Sequence, residues 1–256
     1  MIDSRAIVDP KAEIAEDVEI GPFSIIGPDV EIASGTTVGS HVVIKGPTSI
    51  GHNNQIHQFA SLGDAPQDKK YAGEPTRLEI GDDNIIREYV TINRGTAQDR
   101  GVTSVGNDCL LMAYCHVAHD CQLGNNVIMS NAASLGGHVK VGDWAILSGF
   151  AIVHQFCHIG AHCFLAMGSA VSKDVPPYLL VSGHPAEPHG INKNGLKRRG
   201  FSEEALREIK RAYKVMYRSG LKLEEAQKQV CEMAGETEEL RIFSDFFSDC
   251  RRSIIR

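Results

Sequence analysis

Residues 105–171 read VGNDCL LMAYCH VAHDCQ LGNNVI MSNAAS LGGHVK VGDWAI LSGFAI VHQFCH IGAHCF LAMGSA V, and an aliphatic side chain opens every group of six. The series runs Val105, Leu111, Val117, Leu123, Met129, Leu135, Val141, Leu147, Val153, Ile159, Leu165 and Val171. The same spacing carries an N-terminal series, unbroken from Ile2 to Leu62 and resumed at Ile80, Ile86 and Ile92. With one phase slip between the two series, 26 aliphatic residues fill their slots, and a chain that is 42% hydrophobic does not do this by chance. The period is that of a hexapeptide-repeat parallel β-helix. A short strand and a tight turn share six residues, and three such units close a triangular coil of eighteen. Coils stack at about 4.8 Å, so each one pairs its backbone with the next and the aliphatic positions form one column.

Two further slots repeat. A glycine often follows the aliphatic residue, as at Gly21, Gly39, Gly63, Gly136 and Gly160, which is expected where a corner needs a positive φ. Four places after the aliphatic residue comes a small or β-branched side chain, such as Ala6, Val18, Ser24 or Thr36. Five of the seven cysteines, Cys109, Cys115, Cys121, Cys157 and Cys163, occupy this slot and read as small core residues. Cys231 and Cys250 fall in predicted helices without paired spacing.

The repeats cover residues 1–175, with polar loops expected at 64–79 and 93–104, both rich in Gly and charge. Loops pushed out of a rigid solenoid commonly carry function. Asp174-Val175-Pro176-Pro177 is read as the end of the last coil and 176–200 as a linker. Residues 201–256 change to a helical period. Ser202 is a plausible N-cap and Gly220 a plausible stop, with Leu206, Ile209, Tyr213, Met216 and Tyr217 forming an apolar face. Two further helices are expected at Leu223–Ala234 and from Glu238 to Ser253. The fold class is therefore mainly β, a parallel β-helix with a C-terminal α-helical domain.

Composition excludes little but directs attention. A formal charge of −6 argues against a general nucleic-acid binder. Neither a signal-like apolar run nor a membrane-spanning stretch is visible, so a cytoplasmic chain without stable membrane insertion is expected.

Stacking by eighteen turns the uninterrupted stretch 105–175 into geometry. His119, Gly137 and Gln155 form one column, Asp120, His138 and Phe156 the next, and Ala118, Gly136 and His154 the one before. His116 lies on the same approach. An imidazole titrates near neutrality and can take and return a proton during acyl transfer or hydrolysis. Asp120 would fix its tautomer, and the Gly137 N–H would bind a developing oxyanion. Clustered histidines also suit zinc, so a β-helical enzyme of the carbonic anhydrase kind is the rival class. A noncatalytic scaffold is a third reading.

QDKKYAGEPTR at 67–77, TINRGT at 91–96, HVAHDC at 116–121, GGHV at 136–139, VHQFCHIGAH at 153–162, DVPPY at 174–178 and LKRRGFS at 196–202 closely resemble the UDP-N-acetylglucosamine O-acyltransferase family of hexapeptide-repeat transferases. The resemblance spans nearly the whole chain. It implies a left-handed β-helix, a homotrimer with sites between subunits, and no cofactor or metal. The implied reaction moves an (R)-3-hydroxyacyl group from acyl carrier protein to the glucosamine 3-hydroxyl of UDP-N-acetylglucosamine, the first step of lipid A biosynthesis. His119 is then the general base, Asp120 its orienter and Gly137 the oxyanion donor. Gln67, Asp68, His116 and His138 would contact the sugar, Lys70 the sugar or its phosphates, and His154, Gln155, Asn192 and Arg199 the nucleotide; Arg198 joins the substrate-binding set.

In the same family the position of Met167 acts as a hydrocarbon ruler. The column Asn131, Gly149, Met167 would line the acyl chain, and methionine there predicts a donor of roughly ten carbons. The basic residues Lys193, Lys197, Arg198, Arg199, Lys210 and Arg211 are expected to dock the acidic carrier protein. Asn93 and Asn194 depart from the His and Glu common in the family. The second departure leaves room for a UDP-3-amino sugar as acceptor with the same chemistry.

Overall fold

A computed structural model describes residues 1–235, 237–250 and 253–256. The chain is a left-handed parallel β-helix followed by helices. Strands of two to six residues, the two longest closing the third sheet, fall on a first, a second and a third sheet, with nine, eight and ten strands among the described residues. In uninterrupted coils partners lie eighteen apart, as in Ile7 with Ile25 and His116 with Ser134. Every repeat-opening aliphatic residue from Ile20 onward is buried, and they form one continuous core.

The loops can be sized from register. Ile56 pairs with Ile86, thirty apart, so the first insertion adds 30 − 18 = 12 residues; Ile86 pairs with Leu111, twenty-five apart, so the second adds 25 − 18 = 7. Strands run to Asp64 and resume at Arg77, then run to Asn93 and resume at Val102, so the projecting segments are shorter than the polar stretches suggested. Both loops leave at the turn between the first and second sheets, on the coils immediately preceding that of His119.

The repeat glycines correct one expectation. Of those named above, only Gly63 has a positive φ; the left-handed residue is the third after the aliphatic one, as at Phe23, His41, Asp120, His138 and Phe156. The glycine is needed for closeness instead. A Cβ on Gly136 would lie 2.7 Å from the Gln155 N, and one on Gly160 2.5 Å from the Pro177 N, because the next coil packs directly on it. Cys109, Cys115, Cys121 and Cys163 are buried, and their thiols donate to corner carbonyls, Cys121 to Gly136 O at 3.2 Å. Burial pushes the thiols up, to about 11 for Cys109 and about 12 for Cys121.

Residues 176–200 are not a linker. Leu179–Gly183 joins the third sheet, with Leu180 beside Phe164, and turns back as Ala186–Ile191, followed by helix α1 at Lys193–Arg198. Pro176 and Pro177 do not end the coil because they sit in the corner between Val175, which still bridges Ile159, and the next strand, where no ladder N–H is required.

Helices α2 (Glu203–Arg218), α3 (Leu223–Ala234) and α4 (Arg241–Asp249) follow. Ser202 caps α2 by accepting from the Ala205 N–H. The third expected helix is a 3₁₀ turn, Glu238–Leu240, leading into α4, and it ends before Ser253; residues 251 and 252 lie outside the described residues. Leu206, Ile209, Met216, Val230 and Phe243 bury their side chains around Tyr178, which anchors this second core to the last coil.

Candidate active site

Three successive turns between the first and second sheets carry His119, Gly137 and Gln155, and the two loops arch beside them. Together they line a cleft of about 850 Å³ that contains Gln67, Asp68, Lys70, His119, His138 and Gln155. Further along, its wall is built from the second-sheet residues Gln122, Lys140 and His158 and from Asp249 of α4.

The chemistry is set by what surrounds Asp120. The residue is about 1% exposed, and its carboxylate accepts the Thr96 N–H at 2.9 and 3.1 Å and the Thr96 hydroxyl at 2.7 Å. Its fourth contact is His119 Nδ1 at 2.8 Å. Burial works to raise the Asp120 pKa, but the hydrogen bonds from His119 and Thr96 outweigh it, and the carboxyl lies below the usual range. An ionised carboxylate only accepts, so Nδ1 of His119 carries the proton and Nε2 is free to act as a base. The Asp120 N–H is in turn fixed on Thr103 Oγ1 at 2.7 Å.

Gly137 lies directly against the ring. A Cβ there would stand 2.6 Å from His119 Cε1 and 2.8 Å from Nε2, so only glycine permits the imidazole this position. Its carbonyl accepts from Phe156 N–H at 2.9 Å, and its own N–H enters no hydrogen bond among the described residues. His138 stands edge-on to His119 at 5.0 Å, stacks on Phe156 at 4.3 Å, and places Nδ1 2.7 Å from Asp99 Oδ2. Donor atoms of His119, Asp120 and His138 fall within 4.8 Å of one another, the geometry on which a zinc reading would rest. Both Nδ1 atoms are instead engaged by carboxylates.

Other expected residues do not converge in one chain. His116 sits on the first sheet with Nδ1 2.7 Å from Thr91 Oγ1, and burial, then His119, depresses its pKa. His154 is exposed outside the cleft lining, its Nδ1 3.1 Å from the Gln155 carbonyl. Asn192 and Arg198 line a separate pocket of about 370 Å³ on the third sheet, together with Asn194. Asn192 is buried and already committed, accepting from Gly195 N–H and donating to His162 O. Arg199 lies over Trp144 and donates to its carbonyl at 2.8 Å. Lys197 pairs with Glu203, and Arg211 with Glu208. Asn131, Gly149 and Met167 do stack, but on the edge between the third and first sheets.

Sequence reasoning gave no role to Thr96, Thr103 or Asp99: Thr96 closes the TINRGT stretch, Asp99 lies in the second insertion, and Thr103 is on the strand that follows it. It also missed Arg94, which donates to Tyr71 Oη and to the Gly46 and Gly63 carbonyls, pinning the first loop. Asn93 is buried and donates to the Ala65 carbonyl at 2.9 Å, so the departure from histidine falls on a loop anchor.

Comparison with known proteins agrees along the whole chain. The profile of the second domain of UDP-N-acetylglucosamine O-acyltransferases matches residues 174–255, and that of bacterial transferase hexapeptide repeats matches 2–46 and 103–137. An acyl-(acyl-carrier-protein)–UDP-N-acetylglucosamine O-acyltransferase of Thiobacillus denitrificans is 61% identical over 100% of the chain and 99% of the relative, and one of Pseudomonas entomophila is 56% identical over the same shares. The solved UDP-N-acetylglucosamine acyltransferase of Francisella novicida superposes with a TM-score of 0.99 at 48% identity, covering 100% of this chain and 94% of that one. An Acinetobacter baumannii structure gives 0.97 at 44%, covering 100% and 99%. With identity this high over its full length, the chain belongs to the UDP-N-acetylglucosamine O-acyltransferase family.

Proposed function

We propose that His119 is the general base in the reaction that family membership assigns, transfer of an acyl group from acyl carrier protein to UDP-N-acetylglucosamine at the start of lipid A biosynthesis. The observation that carries this role is the Asp120–His119 pair resting on Gly137. Nε2 takes the proton of the glucosamine 3-hydroxyl as its oxygen attacks the thioester carbonyl. The resulting oxyanion is met by the Gly137 N–H. Collapse expels the carrier's thiolate, which recovers the proton from His119, so the ester forms as the thioester breaks and no proton is left over. Gln67, Asp68, Lys70 and His138, grouped around the same cleft, hold the acceptor.

The dispersal of Asn192, Arg198 and Arg199 and of the Met167 column over other faces supports a site assembled between copies in a homotrimer. On that reading His116 and His154 approach the substrate of an adjoining site, while Gln155 lines the His119 cleft of its own chain. Met167 is about 76% exposed, which is not core packing, and it stands above the bare Gly149. It would therefore limit a (R)-3-hydroxyacyl tail to roughly ten carbons. Lys193, Arg198 and Lys210 supply the positive face for acyl carrier protein, and the cytoplasm is the compartment where both substrates would be met. Among the described residues no helix is long and apolar enough to cross a membrane.

The test is an acyl-transfer assay pairing UDP-N-acetylglucosamine and its 3-amino analogue with a series of hydroxyacyl carrier proteins. His119→Ala should lose about 10³-fold or more in kcat while keeping the oligomer of the parent protein. Unchanged turnover in that variant would remove the imidazole from the mechanism.

A further inference from the structure

One short turn, Thr96–Gly101, bears on two imidazoles of the cleft, His119 through Asp120 and His138 directly. The N–H groups of Asp99 and Gly101 donate to the Thr96 carbonyl at 3.3 and 3.1 Å and close the turn. From it, Thr96 grips Asp120 with its N–H and hydroxyl, and Asp99 Oδ2 reaches His138 Nδ1 at 2.7 Å. Two carboxylate–imidazole pairs therefore stand side by side. The groups facing His138 are Asp99 on the loop, Asp120 at 3.9 Å, the edge of the His119 ring, and Phe156 stacked on one face. Since an ionised carboxylate accepts and cannot donate, Nδ1 of His138 must carry a proton, and a neutral ring then offers Nε2 as an acceptor. Among the described residues no other group fixes that tautomer, because Asp120 is already filled by His119 and Thr96.

We propose that Asp99 is a positioning residue for acceptor binding: it holds His138 in the Nδ1–H tautomer so that Nε2 accepts a hydrogen bond from a hydroxyl of the sugar nucleotide in the cleft. The same turn ties this ring to the general base, so acceptor recognition and proton transfer share one loop. The assignment rests on the acyl-transfer reading for its substrate, though the tautomer itself does not.

The experiment uses the full-length protein labelled with ¹⁵N-histidine, with His138 assigned by the signal lost in His138→Ala. The wild type should show the Nδ1–H pattern, and Asp99→Ala should move the ring toward Nε2–H. In the same variant the KM for UDP-N-acetylglucosamine should rise about tenfold with kcat within about threefold, the expected loss of one charge-assisted hydrogen bond's influence. Asp99→Asn keeps an acceptor oxygen and should recover most of that loss. In a His138→Ala background, Asp99→Ala should change KM by less than about twofold, because the two residues act through one contact. A doubly protonated His138 in the wild type, an unaltered tautomer in Asp99→Ala, or an equal KM increase in both backgrounds would overturn the proposal. If the wild type fails to acylate UDP-N-acetylglucosamine, the functional reading fails, while the nitrogen spectra still decide whether Asp99 sets the ring.

Discussion

Two edges of the same prism differ in how complete they are. The edge between the first and second sheets carries His119, and the polar side chains around it are paired within the chain: Asp120 on Thr96, His138 on Asp99, Arg94 on Tyr71. The edge between the third and first sheets carries Met167 and is apolar and open. Phe23, His41, Phe59, Tyr89 and Tyr114 stack along it at 4.9–5.2 Å between ring centroids, and Phe150 is about 66% exposed. Both edges are built from the same hexads, so the repeat does not account for the difference. Two insertions do, because they add polar side chains to one edge alone. The lesson is that the catalytic pair is a property of a single chain, whereas the apolar edge has the character of a surface completed by something else.

This contrast can be broken most directly at Asp120. Asp120→Asn keeps an oxygen for Thr96 but removes the charge that holds the His119 tautomer, and kcat should fall about 10³-fold with little change in the KM for either substrate. A loss smaller than tenfold would mean that the first edge is less prebuilt than its hydrogen bonds indicate. Gly137→Ala comes next. Its methyl group would occupy the space of the imidazole, and activity should drop about 10²-fold while the melting temperature moves little, because the ring can swing outward. Retained activity would show that His119 works from another position.

The seam with the helical domain offers a pH test of the frame that both edges share. His162 stacks on Tyr178, meets Phe201 edge-on, and has the Arg199 guanidinium 3.2 Å from Nδ1. Burial first, and that cation second, hold its pKa down to about 4. The unfolded chain would take up the proton near 6.5, so this contribution to stability is complete above about pH 6.5 and is lost progressively as pH falls toward 4. The loss should be on the order of 2–3 kcal/mol, read as a shift in denaturation midpoint, and His162→Gln should flatten the slope. A slope unchanged in that variant would assign the acid response elsewhere.

The smallest effect is expected at the open edge. Met167→Gly should change the ratio of rates for longer against shorter hydroxyacyl donors by about tenfold, with stability within about 0.5 kcal/mol because the side chain is exposed. An unchanged donor preference would separate this edge from the acyl chain altogether.

Much of this was legible in the residue order. A period of six can be satisfied only by stacked coils, and stacking by eighteen is enough to put His119, Gly137 and Asp120 together before any coordinates are known. Position in the hexad also explained five of the cysteines, since a small buried side chain suits their slot. The repeat had no means of reporting Thr96 or Asp99, because an insertion has no period and its side chains find partners by the path of the loop. It misassigned the glycines for a related reason: a close approach between coils and a positive φ both favour glycine in sequence, and only the backbone distinguishes them. The prolines at 176–177 looked like a stop until the corner beneath them was seen. What the sequence alone determined was the coil and the column of its catalytic residues, because register follows from burying one aliphatic face. What only the tertiary structure decided was which edge became polar and which stayed open, because that depends on where two short loops return to the helix and which carboxylates they set against the imidazoles.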